Sequence, residues 1–329
     1  MNTSLNRNFK TYFVESRFVS IVFSAIIILL RFLMFFKNGL PESTDFKSNA
    51  IWDYFNPMLQ DYPWISFLGS TLAVFIISFL ISELNIRYGI IRLRTSMPFY
   101  LPLLIFSIHP AFLRLTPDLP ALVFVLWSLF PLLSAYQYQR SHRYAFQFSA
   151  LIAIGSIFQI YTLLLLPLWL IGLKLFDHVS LRSLFASLFG VIIVYWIVFS
   201  FYVFGDNISG FLAPFIQLTE IYDFTQFPQF SVPQWGFVGT MLLLVVIYLS
   251  ADAKQIVRER SFTKKVLFFN SLLLIFAILF QILYFSYTLF FMYLGIALFS
   301  MIISHFYTNS IRQIQIYSFF VLLSLLILY

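Results

Sequence analysis

Few residues in this chain could do chemistry, and they fall in three places. The stretch "IHPAFLRLTPDLP", residues 108–120, carries His109, Arg114 and Asp118. A guanidinium such as that of Arg114 can clamp a phosphate or carboxylate through its planar fork. The four-residue spacing to Asp118, among Pro110, Pro117 and Pro120, also suits a local ion pair that caps a turn. His109, directly before Pro110, reads more readily as a satisfied interface residue than as an acid–base catalyst. The second place holds Glu42, Asp45 and Asp53, between the first two apolar runs. Asp45 or Asp53 could act as general base toward an acceptor hydroxyl, or the acids could hold a divalent cation beside a phosphate. Acids in such a loop also simply solvate it. The third place is Arg31, a charge inside an apolar run. Charges at membrane depth are costly and mark substrate or ion pathways, unless a long stem snorkels to the headgroups.

Several chemistries are excluded outright. The chain has no cysteine, so disulfides, thiolate metal sites, cysteine nucleophiles and lipid anchors on sulfur are all impossible. No phosphate-cradling G-x-x-x-x-G-K, no G-x-S-x-G elbow and no H-E-x-x-H is present. The histidines at 109, 142, 178 and 305 are scattered, which argues against a histidine-rich metal site. No two glycines stand four apart, so the G-x-x-x-G helix-packing motif is missing.

What must position these residues is a membrane bundle. The chain of 329 residues is 61% hydrophobic and 10% charged, against about 25% charged in an ordinary soluble domain. No soluble fold could cover so much apolar surface with so few charges. We therefore expect an all-α, polytopic transmembrane helix bundle forming one integral membrane domain over 1–329. The net charge of +7 reads as loop topology, since Lys and Arg concentrate in cytoplasmic loops, and not as a nucleic-acid footprint.

A spanning helix needs roughly 20 apolar residues. The run Phe18–Phe36 follows Arg7, Lys10 and Arg17 with no small-residue cleavage site after it, so it reads as an uncleaved first span with the N-terminus in the cytoplasm. An acidic outer loop, 37–63, leads to a second span at 64–82 and the basic cluster Arg87, Arg92 and Arg94. Residues 97–136 lie between that cluster and Arg140/Arg143, so they must cross an even number of times. That predicts two helices with an outer tip near 110–118. The 145–173 stretch also lies between basic clusters, too long for one span and short for two. It reads as a short or broken helical pair turning near Gly155–Gln159, geometry tolerated where protein or a cavity covers the backbone. Further spans are predicted at 184–204, 234–250, 266–284, 288–306 and 314–329, giving about 10–11 membrane segments.

Both long outer loops, 37–63 and 205–233, hold amphipathic patterns. Ile51, Trp52, Phe55, Met58, Leu59 and Tyr62 recur at helical spacing, as do Ile208, Phe211, Leu212, Phe215 and Ile216. Both predict helices lying flat at the interface, with the aromatic tail Tyr222, Phe224, Phe227, Phe230 and Trp235 at headgroup level.

The basic turn "NIRYGIIRLRTSMPFYLPLLIFSIHPAF", followed by "SAYQYQRSHRYAFQFSALIAIGSIFQIYTLLLLPLWLIGL" and "SLFGVIIVYWIVFSFYVFGD", resembles along most of the chain a family of uncharacterised multi-pass inner-membrane proteins of Bacteroidota. More distantly, the layout is similar to glycosyltransferases of the lipid-phosphate-sugar-dependent class (GT-C type) and to envelope polysaccharide polymerases. That resemblance implies a carboxylate base in the first outer loop, for which Asp45 and Asp53 are the positions available; the adjacent acidic pair of many such enzymes is absent from "STDFKS". It further implies a polyprenyl-phosphate-linked sugar as substrate at the outer face of the bacterial inner membrane, with Arg114, Asp118, His109 and Arg31 as candidate substrate-binding residues. Two other readings stand beside it. One is a non-enzymatic scaffold or accessory subunit whose Phe-rich helices pack against membrane-protein partners. The other is a transporter, disfavoured by the scarcity of midplane charge.

Overall fold

An apolar run in lipid has no water to satisfy its peptide groups, so it must close its hydrogen bonds within itself as a helix. The computed structural model follows that rule. It describes residues 9–41, 50–138, 141–176, 180–220, 232–285, 287–309 and 313–328, and among these every regular element is helical, with no strand. After a π-helical turn at Lys10–Val14 come α1 (Arg17–Asn38), α2 (Ala50–Asp61), α3 (Pro63–Tyr88) and α4 (Met97–Ile108). A 3-10 turn, Pro110–Leu113, leads to α5 (Asp118–Tyr138) and α6 (Ser141–Phe158). A second, Ile160–Leu165, precedes α7 (Leu166–Phe176), α8 (Leu181–Phe204) and α9 (Ile208–Gln217). The chain finishes with α10 (Val232–Ile256), α11 (Ser261–Leu283), α12 (Phe290–Thr308) and α13 (Gln313–Leu328).

Among the described residues, six helical stretches are long and apolar enough to cross a membrane: Ser20–Asn38, Pro63–Tyr88, Asp118–Tyr136, Leu181–Phe204, Ser261–Leu283 and Phe290–Thr308. The protein is thus an all-α polytopic bundle. Other apolar stretches, Met97–Ile108, Ile160–Phe176 and Leu242–Ala253, are shorter.

The centre of the bundle is α12, nearly every residue of which is buried, packed by α11, α4, α10 and α5. The outside is α8, whose Phe185, Trp196, Phe201 and Phe204 all point away from the protein. α8 holds to α6 through its small face, Ser183, Ser187 and Gly190. A Cβ on Gly190 would come within 2.2 Å of Ser149 Oγ and 2.7 Å of the Phe146 carbonyl oxygen. So the two backbones approach closely without a G-x-x-x-G motif; a Ser-and-Gly stripe does the same work.

The broken pair expected in 145–173 is present. α6 stops because Gln159 takes an extended conformation, φ −142° and ψ 107°. The chain then passes through the 3-10 turn into α7, whose second residue is Pro167, a first-turn position where proline's missing N–H leaves no helical bond unmade.

The 97–136 hairpin differs from expectation. α4 has 12 residues, about 18 Å of helix, well short of the roughly 30 Å of hydrocarbon. The turn after it is held inside the bundle: Phe112, Leu113 and Asp118 are all buried. Polar groups on α1 and α3 make that possible by meeting the turn's backbone, as described below.

Both expected amphipathic helices form, as α2 and α9. In α9, Phe211 and Phe215 pack on Tyr195 of α8, while Ile208, Leu212 and Ile216 face outward. In α2, Trp52 and Leu59 are buried whereas Phe55 and Met58 are exposed. Of the aromatic tail, Tyr222, Phe224, Phe227 and Phe230 lie outside the described residues.

Candidate functional site

Arg31 does not snorkel. Its side chain is fully buried, because α1 presents it to α3 and to the turn behind α4. Nε donates to Thr71 Oγ1 at 3.3 Å, Nη1 to the Phe106 carbonyl at 2.7 Å and Ser107 Oγ at 3.5 Å. Nη2 donates to Ser70 Oγ at 3.1 Å and the Phe112 carbonyl at 3.0 Å. A guanidinium has five N–H donors, and five acceptors surround this one. Phe106 and Phe112 lie in the last turns of α4 and of the 3-10 turn, where carbonyls lack helical partners and carry negative dipole character. Ser70 Oγ donates in turn to the Leu113 carbonyl at 2.6 Å, and Ser66 Oγ accepts the Leu115 N–H at 3.0 Å. Arg31, Ser66 and Ser70 together satisfy the non-helical backbone that the buried turn would otherwise leave bare. As placed, Arg31 has no donor left over for a ligand.

Arg114 and Asp118 are not an ion pair. Arg114, half-buried, donates from Nη1 to the Pro41 carbonyl at 3.1 Å, so it faces the start of the segment that leads from α1 to α2. Asp118 turns the other way, into the bundle. Its Oδ1 accepts from Gln159 Nε2 at 2.8 Å and from Thr288 Oγ1 at 3.1 Å, and Gln159 Nε2 also donates to Thr288 Oγ1 at 3.0 Å. The site therefore joins the N-terminus of α5, the break between α6 and α7, and the turn leading into α12. Thr116 and Tyr293 stand beside the carboxylate. The Thr116 hydroxyl interacts with both the carboxylate and the Tyr293 hydroxyl, while Gln159 Oε1 is buried without a close donor.

His109 caps the turn. Its Nδ1 accepts the Ala111 N–H at 3.1 Å, which requires the unprotonated nitrogen, and partial burial pushes its pKa below the ordinary 6.5.

Asp45 and Glu42 lie outside the described residues, and Asp53 sits on α2 with its side chain outside them too. Among the described residues, no group of three or more His, Asp or Glu converges to hold a metal.

A second polar cluster was not foreseen. Asp252 of α10 and His305 of α12 are both buried and meet at 2.6 Å, Oδ1 to Nδ1. On the far side of the ring, Nε2 lies 3.0 Å from Asn309 Nδ2 and 3.8 Å from Glu259 Oε1. Glu259 in turn lies 3.1 Å from Arg92 Nε. The arrangement ties α10 and α12 to the basic turns 87–94 and 256–260. The available signal was an acid and a histidine each placed in an otherwise apolar run; their pairing across 53 positions has no local trace.

Comparison with protein-family models, with curated proteins and with solved structures found no match to this chain.

Proposed function

We propose that the protein is an integral inner-membrane protein of a bacterium, with a cytoplasmic N-terminus, that works at the outer face in envelope glycan assembly on a polyprenyl-phosphate-linked sugar. The observation that carries this reading is the bond from Arg114 to the Pro41 carbonyl, 3.1 Å. It ties the hairpin tip to the loop that holds Asp45 and Asp53. In this reading the guanidinium fork of Arg114 holds the lipid phosphate, and Asp45 or Asp53 removes the proton from the acceptor hydroxyl as general base. The amphipathic helices α2 and α9 flank the loop openings and keep the substrate's lipid at the interface.

The test is in cells. Asp45→Asn, Asp53→Asn and Arg114→Gln are introduced singly, and envelope glycans and lipid-linked sugars are compared at equal protein level. Loss of the glycan, or accumulation of its lipid-linked precursor, in Arg114→Gln and in one Asp variant supports the reading. Unchanged glycans in all three overturn it.

A second reading, transport, gains from one observation: a fully buried carboxylate, Asp118, beside the interrupted helix α6–α7. Asp118→Asn would then abolish solute movement in proteoliposomes and leave glycans unchanged.

A further inference from the structure

We propose that the end of the bundle at which α3 and α5 finish and α11 begins binds the headgroups of anionic phospholipids in the surrounding bilayer. Three candidate spans reach their polar limit there: two end at Tyr88 and Tyr136, and a third starts at Ser261. Their rings meet around Phe262. Its centroid lies 4.7 Å from that of Tyr136, 6.5 Å from that of Tyr88 and 6.3 Å from that of Phe176, the last residue of α7. Four helix ends therefore share one aromatic floor, at the level where aromatic rings border the headgroups.

Two cations lie on this floor. The Arg87 guanidinium carbon stands 5.9 Å from the ring centroids of both Tyr88 and Phe130, and Lys265 Nζ stands 5.4 Å from that of Tyr136. A ring face attracts a cation at this range without neutralising it. Among the described residues neither cation has a carboxylate partner. Glu83 stands one turn before Arg87, the favourable order for a helical ion pair, yet the guanidinium lies over the rings instead. Glu259 is already engaged: Arg92 Nε lies 3.1 Å from it, which joins the turn after α3 to the turn before α11. Arg258 and Lys264 beside these turns are exposed. Positive charge without a protein counter-ion is thus left at the edge of the hydrocarbon.

Placement selects lipid as the occupant. A headgroup phosphate is held by its acyl chains at the depth of the rings, where each nearby Lys or Arg contributes about fivefold in affinity. Exposed Leu93 and Val257, in the same two turns, offer apolar contact that an anion dissolved in water would not use. In the orientation proposed above this end faces the cytoplasm, the side whose leaflet carries anionic lipid. The inference rests on membrane insertion and not on glycan assembly. Headgroup binding is measured without a sugar substrate, so either reading can fail while the other stands.

The full chain, purified in detergent, is titrated with phosphatidylglycerol, with phosphatidylcholine of the same acyl chains, and with inorganic phosphate, following thermal unfolding and native mass spectrometry. Phosphatidylglycerol alone should bind saturably and raise Tm, because a ligand of the folded state stabilises it. Its affinity should fall as salt is raised, since exposed charges are screened. Arg87→Gln and Lys265→Gln should each weaken phosphatidylglycerol binding about fivefold. Lys37→Gln should leave it unchanged, because Lys37 lies in the last turn of α1, beside the start of α3 and not its end. The Arg87 and Lys265 side chains rest on ring faces, so both variants should fold; if one does not, the salt dependence of the unaltered chain still decides. An equal response to the two lipids, binding indifferent to salt, or affinity unchanged in both Gln variants overturns the proposal. So does an equal rise in Tm with inorganic phosphate, which would assign these cations to a soluble anion.

Discussion

Gln159 Nε2 stands 2.8 Å from Asp118 Oδ1, across 41 positions of sequence. This contact fixes where α6 ends. A glutamine inside a continuing helix would point along the helix surface; here the backbone is extended and the side chain is delivered to a buried carboxylate.

Replacing Gln159 with Leu should therefore cost about 1–3 kcal/mol, the usual penalty for leaving a buried acceptor without its donor. Thermal unfolding in detergent measures it. A variant as stable as the parent would show that Asp118 is satisfied some other way.

Arg31→Met should be more damaging, by roughly 2–4 kcal/mol, because the carbonyls of Phe106 and Phe112 lose their donor together. Arg31→Lys should rescue little of this. An ammonium has three donors on a narrow head and cannot reach five separated acceptors. Full rescue by Lys would mean that charge alone matters at this position.

At the contact of α6 and α8, Gly190→Ala should destabilise by about 1–3 kcal/mol through overpacking. The added methyl meets the Phe146 carbonyl oxygen at 2.7 Å, and a backbone atom cannot rotate aside. Ser149→Ala in the same chain should recover only part of the loss. Tm values of the single and double variants decide the matter.

Acid should weaken the turn that His109 caps. Its pKa in the fold lies below the ordinary 6.5, so the unfolded chain binds more protons as pH falls through that value. Stability is then fully present above about pH 7 and declines toward pH 5. His109→Asn keeps an acceptor for the Ala111 N–H and cannot titrate. The Tm difference between pH 7 and pH 5 should shrink in this variant; an undiminished difference would assign the acid sensitivity to other groups.

Reporters fused after residue 90 and after residue 225 test the orientation. We expect the first in the cytoplasm and the second at the outer face. The reverse would invert the whole map and place the Arg114 tip on the wrong side for a lipid-linked sugar.

Sequence alone determined the architecture, for a physical reason: the hydrophobic run and its flanking basic residues are local quantities. Six of the expected spans, the two amphipathic helices and the break near Gly155–Gln159 follow from run length and 3.6-residue spacing, whereas the remaining expected segments are shorter than a span or not among these six. The fate of individual charges did not follow. Arg31 has the same neighbours in sequence whether it snorkels or is buried, and only the arrival of Phe106 and Phe112 beside Ser70 decides that it turns inward. Arg114 and Asp118 are spaced like an ion pair, yet their partners, Pro41 and Gln159, stand 73 and 41 positions away. Asp252 and His305 are likewise distant in the chain. In a bundle with so few charges, each polar side chain takes whichever partner helix packing brings within reach, and that choice belongs to the tertiary structure.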